Sequence, residues 1–237
     1  MLDRSVTKIG AMAAMVGAVL ALGFNALHPR TSNSDEIQTE LELIQDNGVW
    51  LFDHYMIAWS IGIIFFGLIV IARSFDTEPA RSWGRVALPF IVGGTALIFA
   101  SVAIDGMGME QISETWAESS DKAATLAIAD IVANVGGAIF VAAIGALFGL
   151  MPIILGMAFI SSADYPSWLG GLGIAGGLLG LLTSTIMFFG GITDATLNVM
   201  FPITAVMLTV LVFIAGLLLW RKVTAPVAAA AARAEVA

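Results

Sequence analysis

Few side chains in this sequence are equipped for chemistry, and most of those sit in or beside long apolar runs. The 237 residues include no cysteine and two histidines, His28 and His54. Disulfides, thiolate catalysis and cysteine-ligated metals are therefore excluded, as is a multi-histidine metal cage within one chain. Asp53 and His54 lie about one turn into an apolar run. Asp130 and Asn134 are four residues apart, on a helical face shared with Ala133 and Gly137. His54, Ala58 and Gly62 form a second stripe of the same polar-then-small kind. Polar groups within a bilayer are costly and usually face the bundle interior, where they find partners. Asp53, His54, Asp130 and Asn134 are thus the candidate ligand-binding residues. His54 and Asp130 are expected within direct or single-water hydrogen-bonding reach. Asp105, Ser184, Thr185, Asp194 and Asn198 fall at the same outer level, and the inner halves of the spans hold nothing comparable. A transporter would place its site near the midplane, between broken helices. The pattern here suggests an outward-facing polar cup over a sealed apolar floor.

Three functions fit such a cup. The first is non-enzymatic: binding of a small ligand, lipid head group or ion, as a separate protein or as a subunit of a membrane assembly. The second is redox or metal chemistry. His28 and His54 stand at opposite ends of one outer loop and could ligate a heme axially, or bind copper or zinc together with Asp53. The first reading assigns no metal, so His28 and His54 are metal candidates only under this alternative. The third is a lipid-modifying enzyme using Asp53, His54 and Asp130. No phosphate-cradling loop, H-E-x-x-H or G-x-S-x-G motif is present, so no residue is assigned as catalytic and no cofactor is named.

These residues must be positioned by membrane helices. The composition is 59 % hydrophobic and 12 % charged, against roughly a quarter charged in ordinary globular proteins. Apolar runs of about 20 residues are long enough to cross a hydrocarbon core about 30 Å thick. They predict spans over 9–27, 49–72, 86–104, 122–161, 168–189 and 199–220. The first is read as a retained helix and not a signal peptide. It exceeds the usual 7–15-residue apolar stretch, and no small-x-small cleavage site follows. His28-Pro29 ends it, because the residue before proline is pushed out of the α region. Residues 34–45 read as a short amphipathic helix with Ser34 as N-cap and Ile37, Leu41 and Ile44 on one face. Asp105-Gly106 reads as the end of the third span. Ile112 and Trp116 suggest a second surface helix. The stretch 122–161 is about 60 Å long if wholly helical, and is read as one crossing.

Charge supports that count. With six crossings, Arg4, Lys8, Arg73, Arg81, Arg85, Arg221, Lys222 and Arg233 share one side, and only Arg30 and Lys122 lie on the other. Basic residues stay on the cytoplasmic side, so both ends are expected in the cytoplasm and the protein in the plasma membrane. The net charge of −8 gives no support to nucleic-acid binding. The fold expectation is an all-α bundle of six transmembrane helices over residues 1–222, with short amphipathic helices outside and a flexible tail over 223–237.

Glycine spacings such as Gly173/Gly177, Gly176/Gly180, Ala133/Gly137 and Gly145/Gly149 allow close helix approach. They are read as intramolecular packing, with pairing of two copies through one such face as the alternative. The run Tyr165-Pro166-Ser167-Trp168-Leu169-Gly170-Gly171-Leu172-Gly173-Ile174-Ala175-Gly176 resembles a group of small six-helix microbial membrane proteins known only as a domain of unknown function. Those proteins tend to open their fifth helix with P-x-W-L-G followed by a glycine-rich stretch. His28-Pro29, Trp50 and His54 fit the same layout. The resemblance implies the fold and the helix count, and it implies no activity.

Overall fold

A computed structural model describes residues 2–29 and 36–225. It is all-helical among the described residues. The helices are α1 (Arg4–Leu27), α2 (Ile37–Asp46), α3 (Trp50–Ala72), α4 (Ala80–Ala103), α5 (Met109–Glu118), α6 (Lys122–Ala143), α7 (Met151–Ile160), α8 (Ser167–Gly190) and α9 (Phe201–Thr224). Three π-turns, Ile104–Gly108, Ile144–Leu150 and Thr196–Met200, join α4 to α5, join α6 to α7 and lead into α9. Six continuous helical segments result, each long and apolar enough to cross a membrane.

The third and fourth segments are 39 residues each, or about 58 Å at 1.5 Å per residue. The fourth fits the reading of 122–161 as one crossing and is continuous through its π-turn. The third departs from its expected extent: Asp105-Gly106 does not end it. The chain widens through a π-turn there and continues into α5, so the expected surface helix is the projecting end of the span. Two π-turns have a proline as cause. Pro152 and Pro202 stand just after them. A proline has no N–H and its ring crowds the carbonyl four residues back, so the preceding turn opens. The Ile104–Gly108 turn has no proline and carries Gly106 and Gly108 instead.

The two ends of the bundle differ in packing. At the end where α1 begins and α9 ends, Arg4 Nε donates to the Val223 carbonyl (2.9 Å), and Lys222 bridges Asp76 and Asp164 at 2.8 Å each. Glycines let helices touch in this half. A Cβ on Gly67 would lie 2.6 Å from the Ala14 backbone, one on Gly216 2.9 Å from the Ala11 carbonyl, and one on Gly173 2.8 Å from the Pro152 carbonyl. Gly177 abuts Gly149 and Ile153, while Gly176 faces Met207 on α9. Gly173, Gly176 and Gly177 of the fifth span therefore pack within the chain. Toward the opposite, distal end, Gly23, Gly190 and Gly191 have no atom within contact reach of such a Cβ. A cavity opens between the helices there. A cap covers part of the opening: Leu41 and Ile44 of α2 are buried with Met109, Trp50 and Ala129.

Two expectations fall on undescribed residues. Ser34 as N-cap lies outside the described residues, and α2 starts after Glu36, whose side chain makes no capping bond. Most of the tail expected from residue 223 also lies outside them, although α9 runs to Thr224.

Candidate functional site

The distal half holds a partly open cavity of about 1090 Å³, just above the roughly 300–1,000 Å³ range of ligand sites. Its mouth is polar, with His28, Glu40, His54, Asp105, Asp130 and Asn134 on the lining. Its depth is apolar, passing Ile57, Ile61 and Ile64 to Leu68 on α3 and Leu208 and Val212 on α9. His54 and Leu68 both line it and are 14 residues apart on one helix, which puts the floor about 21 Å below the mouth. The expected polar rim is there. The apolar floor expected beneath it lies deep, because the cavity continues as an apolar space as far as Leu68, Leu208 and Val212.

The polar cluster at the mouth is built by three local devices. The first is the end of α1. His28 caps the helix through its N–H to the Phe24 carbonyl and has extended backbone (φ −58°, ψ 124°), as a pre-proline residue should. Its ring thereby turns onto α3, 4.8 Å from the His54 ring centroid and edge-to-face with it, and 5.6 Å from Trp50. The second is the first turn of α3, which presents Trp50, Asp53 and His54 together. The third is the Ile104–Gly108 π-turn. It aims Asp105 at His54 and brings Gly106 against it: a Cβ on Gly106 would lie 2.7 Å from His54 Cβ. The Trp50 indole donates to the Gly106 carbonyl at 3.1 Å.

Hydrogen bonds fix both rings. His28 Nδ1 meets Asp53 Oδ2 at 2.8 Å. His54 Nδ1 donates to the Trp50 carbonyl at 2.9 Å, and its Nε2 meets Asp105 Oδ2 at 3.1 Å. His54 and Asp53 are buried (5 % and 6 % side-chain exposure), His28 is partly buried at 18 %, and Asp105 is open to the cavity at 42 %. On the cap, Glu40 also lines the cavity. Burial, reinforced by the Asp105 charge, pushes its carboxyl up to about 7.

The partner expected for His54 is therefore corrected. Its carboxylate is Asp105 and not Asp130. Both ring nitrogens are already engaged, leaving none for a direct bond to Asp130. The Asp130 side chain is exposed on the cavity lining, and Asn134 donates to the Asp130 backbone carbonyl at 2.8 Å. Asp130 and Asn134 share the cavity with His54 without joining its hydrogen bonds. Asp53 likewise serves His28. The heme alternative fails on space, because two imidazoles in edge-to-face contact leave no slot for a macrocycle between them. The remaining outer polar residues lie apart. Ser184 donates to the Val141 carbonyl, Thr185 to Leu181 of its own helix, and neither these nor Asp194 and Asn198 line the cavity.

Sequence reasoning missed Asp105 as a central residue, along with Gly106 and Glu40. Asp-Gly carries the ordinary signal of a helix stop, and nothing local distinguishes it from a π-turn. The available signal was distance: Asp105 was expected at the same membrane level as His54. Comparisons of the chain with protein-family models, curated proteins and solved structures find no match.

Proposed function

We propose that the protein is a multi-pass membrane protein that binds a single-chain amphiphile, with the head group at the polar mouth and the chain in the shaft. One observation carries this reading: a single cavity joins a cluster of two histidines and several carboxylates to an apolar shaft about 21 Å deep. A small polar ligand would leave the shaft unused, and an alkane-like ligand would leave the mouth unpaired. The mouth is acid-rich, with Glu40, Asp105 and Asp130 on its lining. Like charges repel in such a site, so hydroxylated or zwitterionic heads should bind better than anionic ones. Within this reading the protein binds without catalysing a reaction. It resides in the plasma membrane with both termini cytoplasmic, in keeping with the distribution of lysine and arginine, and the cavity opens on the outer side. The layout shared with the small six-helix microbial group is part of the same proposal.

Native mass spectrometry of delipidated protein tests it. Titration with palmitoyl lysophosphatidylcholine should give one saturable bound molecule. Palmitate should bind at least several-fold more weakly. Ala205 lines the cavity, and Ala205→Phe fills part of it, so this variant should lose the bound species while melting as a folded protein. Graded, unsaturable adducts that are equal in wild type and Ala205→Phe would refute the proposal.

A further inference from the structure

Beyond an amphiphile, the mouth of the cavity holds the elements of a metal site. We propose that His28, His54 and Asp105 bind one divalent transition-metal ion of the imidazole-preferring kind, of which zinc is the reference case. One ligand atom from each residue lies within 4.8 Å of the others. His54 Nε2 and Asp105 Oδ2 are already 3.1 Å apart, close to the separation of two ligands that each stand about 2.0–2.2 Å from one zinc ion.

The surroundings of the rings point the same way. A metal-ligating histidine almost always donates its second ring N–H to a carboxylate or a backbone carbonyl, which fixes tautomer and orientation. Both histidines have such a partner outside the triad. His28 Nδ1 has the Asp53 carboxylate at 2.8 Å, and His54 Nδ1 has the Trp50 carbonyl at 2.9 Å. With Nδ1 engaged in each ring, Nε2 is the nitrogen left for a ligand. His54 Nε2 faces Asp105, so an ion there replaces the proton that otherwise joins nitrogen to carboxylate. Asp53 thus becomes a positioning residue for His28, and the ligating carboxylate is Asp105.

The donor set also has a consequence. Two imidazoles and one carboxylate are three protein ligands, the number found in zinc sites that keep a position open. All three residues line the cavity, so the open position faces its interior. An ion there would present a Lewis acid to whatever occupies the mouth. The inference rests on the triad and its supporting hydrogen bonds and is independent of the amphiphile reading, because metal binding can be measured in detergent with no added lipid.

The test uses protein stripped with a chelator and then titrated with metal alone. Zn²⁺ should bind at one ion per chain by elemental analysis, and Co²⁺ should give a saturable visible absorption displaced by Zn²⁺. Pulsed electron paramagnetic resonance of the Cu²⁺ form should show two coordinated imidazoles, a readout that needs no variant. His28→Ala, His54→Ala and Asp105→Ala should each lose the stoichiometric site. Asp53→Asn should weaken affinity about 10–100-fold, as expected for an outer-shell partner. Glu114→Gln, an exposed acid on α5, should leave it unchanged. Failure of wild type to bind any of the three ions stoichiometrically would overturn the proposal. So would a copper spectrum without imidazole nitrogen, or full affinity in a folded His54→Ala variant.

Discussion

Substituting Gly106 by alanine should damage the distal site more than any other single methyl group added to the chain's outer half. The added Cβ would stand 2.7 Å from His54 Cβ and 2.9 Å from its Cγ, against about 3.5–4.0 Å for carbon atoms in favourable contact. The obstructing atom is next to the backbone of α3, so no flexible tip can swing aside. One of the two helices must move by most of an ångström. Overpacking of this kind costs about 1–3 kcal/mol. The shift also strains two contacts that meet here, Trp50 to the Gly106 carbonyl and His54 to Asp105, worth about 0.5–1.5 kcal/mol for an ordinary hydrogen bond. Alanine returns up to about 1 kcal/mol through helix propensity. The expected net is a loss of about 1–3 kcal/mol, read as a lower melting temperature in detergent. Because the shift strains the 3.1 Å hydrogen bond of the Trp50 indole, tryptophan emission should change as well. Gly171→Ala is the control, since its Cβ would meet nothing within 4 Å and should leave the melt unchanged or raise it. If Gly106→Ala melts with Gly171→Ala or above it, the π-turn does not clamp His54 as described.

Other perturbations have equally definite outcomes. Gly177→Leu should destabilise the folded bundle strongly, because even a Cβ there stands 2.6 Å from the Gly149 carbonyl; Gly176→Leu should also destabilise it by pushing on Met207, and wild-type thermal stability for either variant would contradict the packing described. Asp130→Asn should change stability by no more than about 0.5 kcal/mol, as is usual for exposed positions away from specific interactions, whereas Asp53→Leu removes the buried partner of His28 and should cost about 1.5–3 kcal/mol; equal melts would refute that contrast. Tyr165, buried at the terminal end beside Phe75 and Phe159 and bonded to Ser74, has its hydroxyl pushed up to about 12 by burial. Its contribution to stability is complete below pH 10 and declines as pH rises toward 12. Tyrosinate absorption should therefore show a component near pH 12 that disappears in Tyr165→Phe.

The legibility of the sequence divides along the length scale of the interactions. Six spans were readable because the length of an apolar run is matched to bilayer thickness, a property each segment carries alone. The end of α1 at His28-Pro29 was readable because proline acts on its immediate neighbour. The reading of 122–161 as one crossing followed from charge, since a second crossing would have moved Arg221 and Lys222 across the membrane, whereas one long helix and a broken one were not told apart. His54 was readable as a polar residue facing a partner, but the partner was not. Helical spacing fixes which residues share a face and leaves the rotation of one helix against another undetermined. Asp130 therefore looked as suitable as Asp105. The π-turn that aims Asp105 depends on contacts between helices and has no local signature without a proline. The shaft was hidden for a related reason: its walls are ordinary apolar residues, and only the failure of the distal halves to close makes them a cavity.

The central claim is that one amphiphile lies head-out in this shaft, and photocrosslinking tests it most directly. A palmitoyl lysophosphatidylcholine carrying a diazirine at the last chain carbon should label residues at the floor of the cavity, Leu68, Leu208 or Val212, with one saturable attachment that excess unlabelled lipid prevents. Labelling confined to the lipid-facing surface, at residues such as Ile9, Val19 or Ile131, and insensitive to competitor would contradict it.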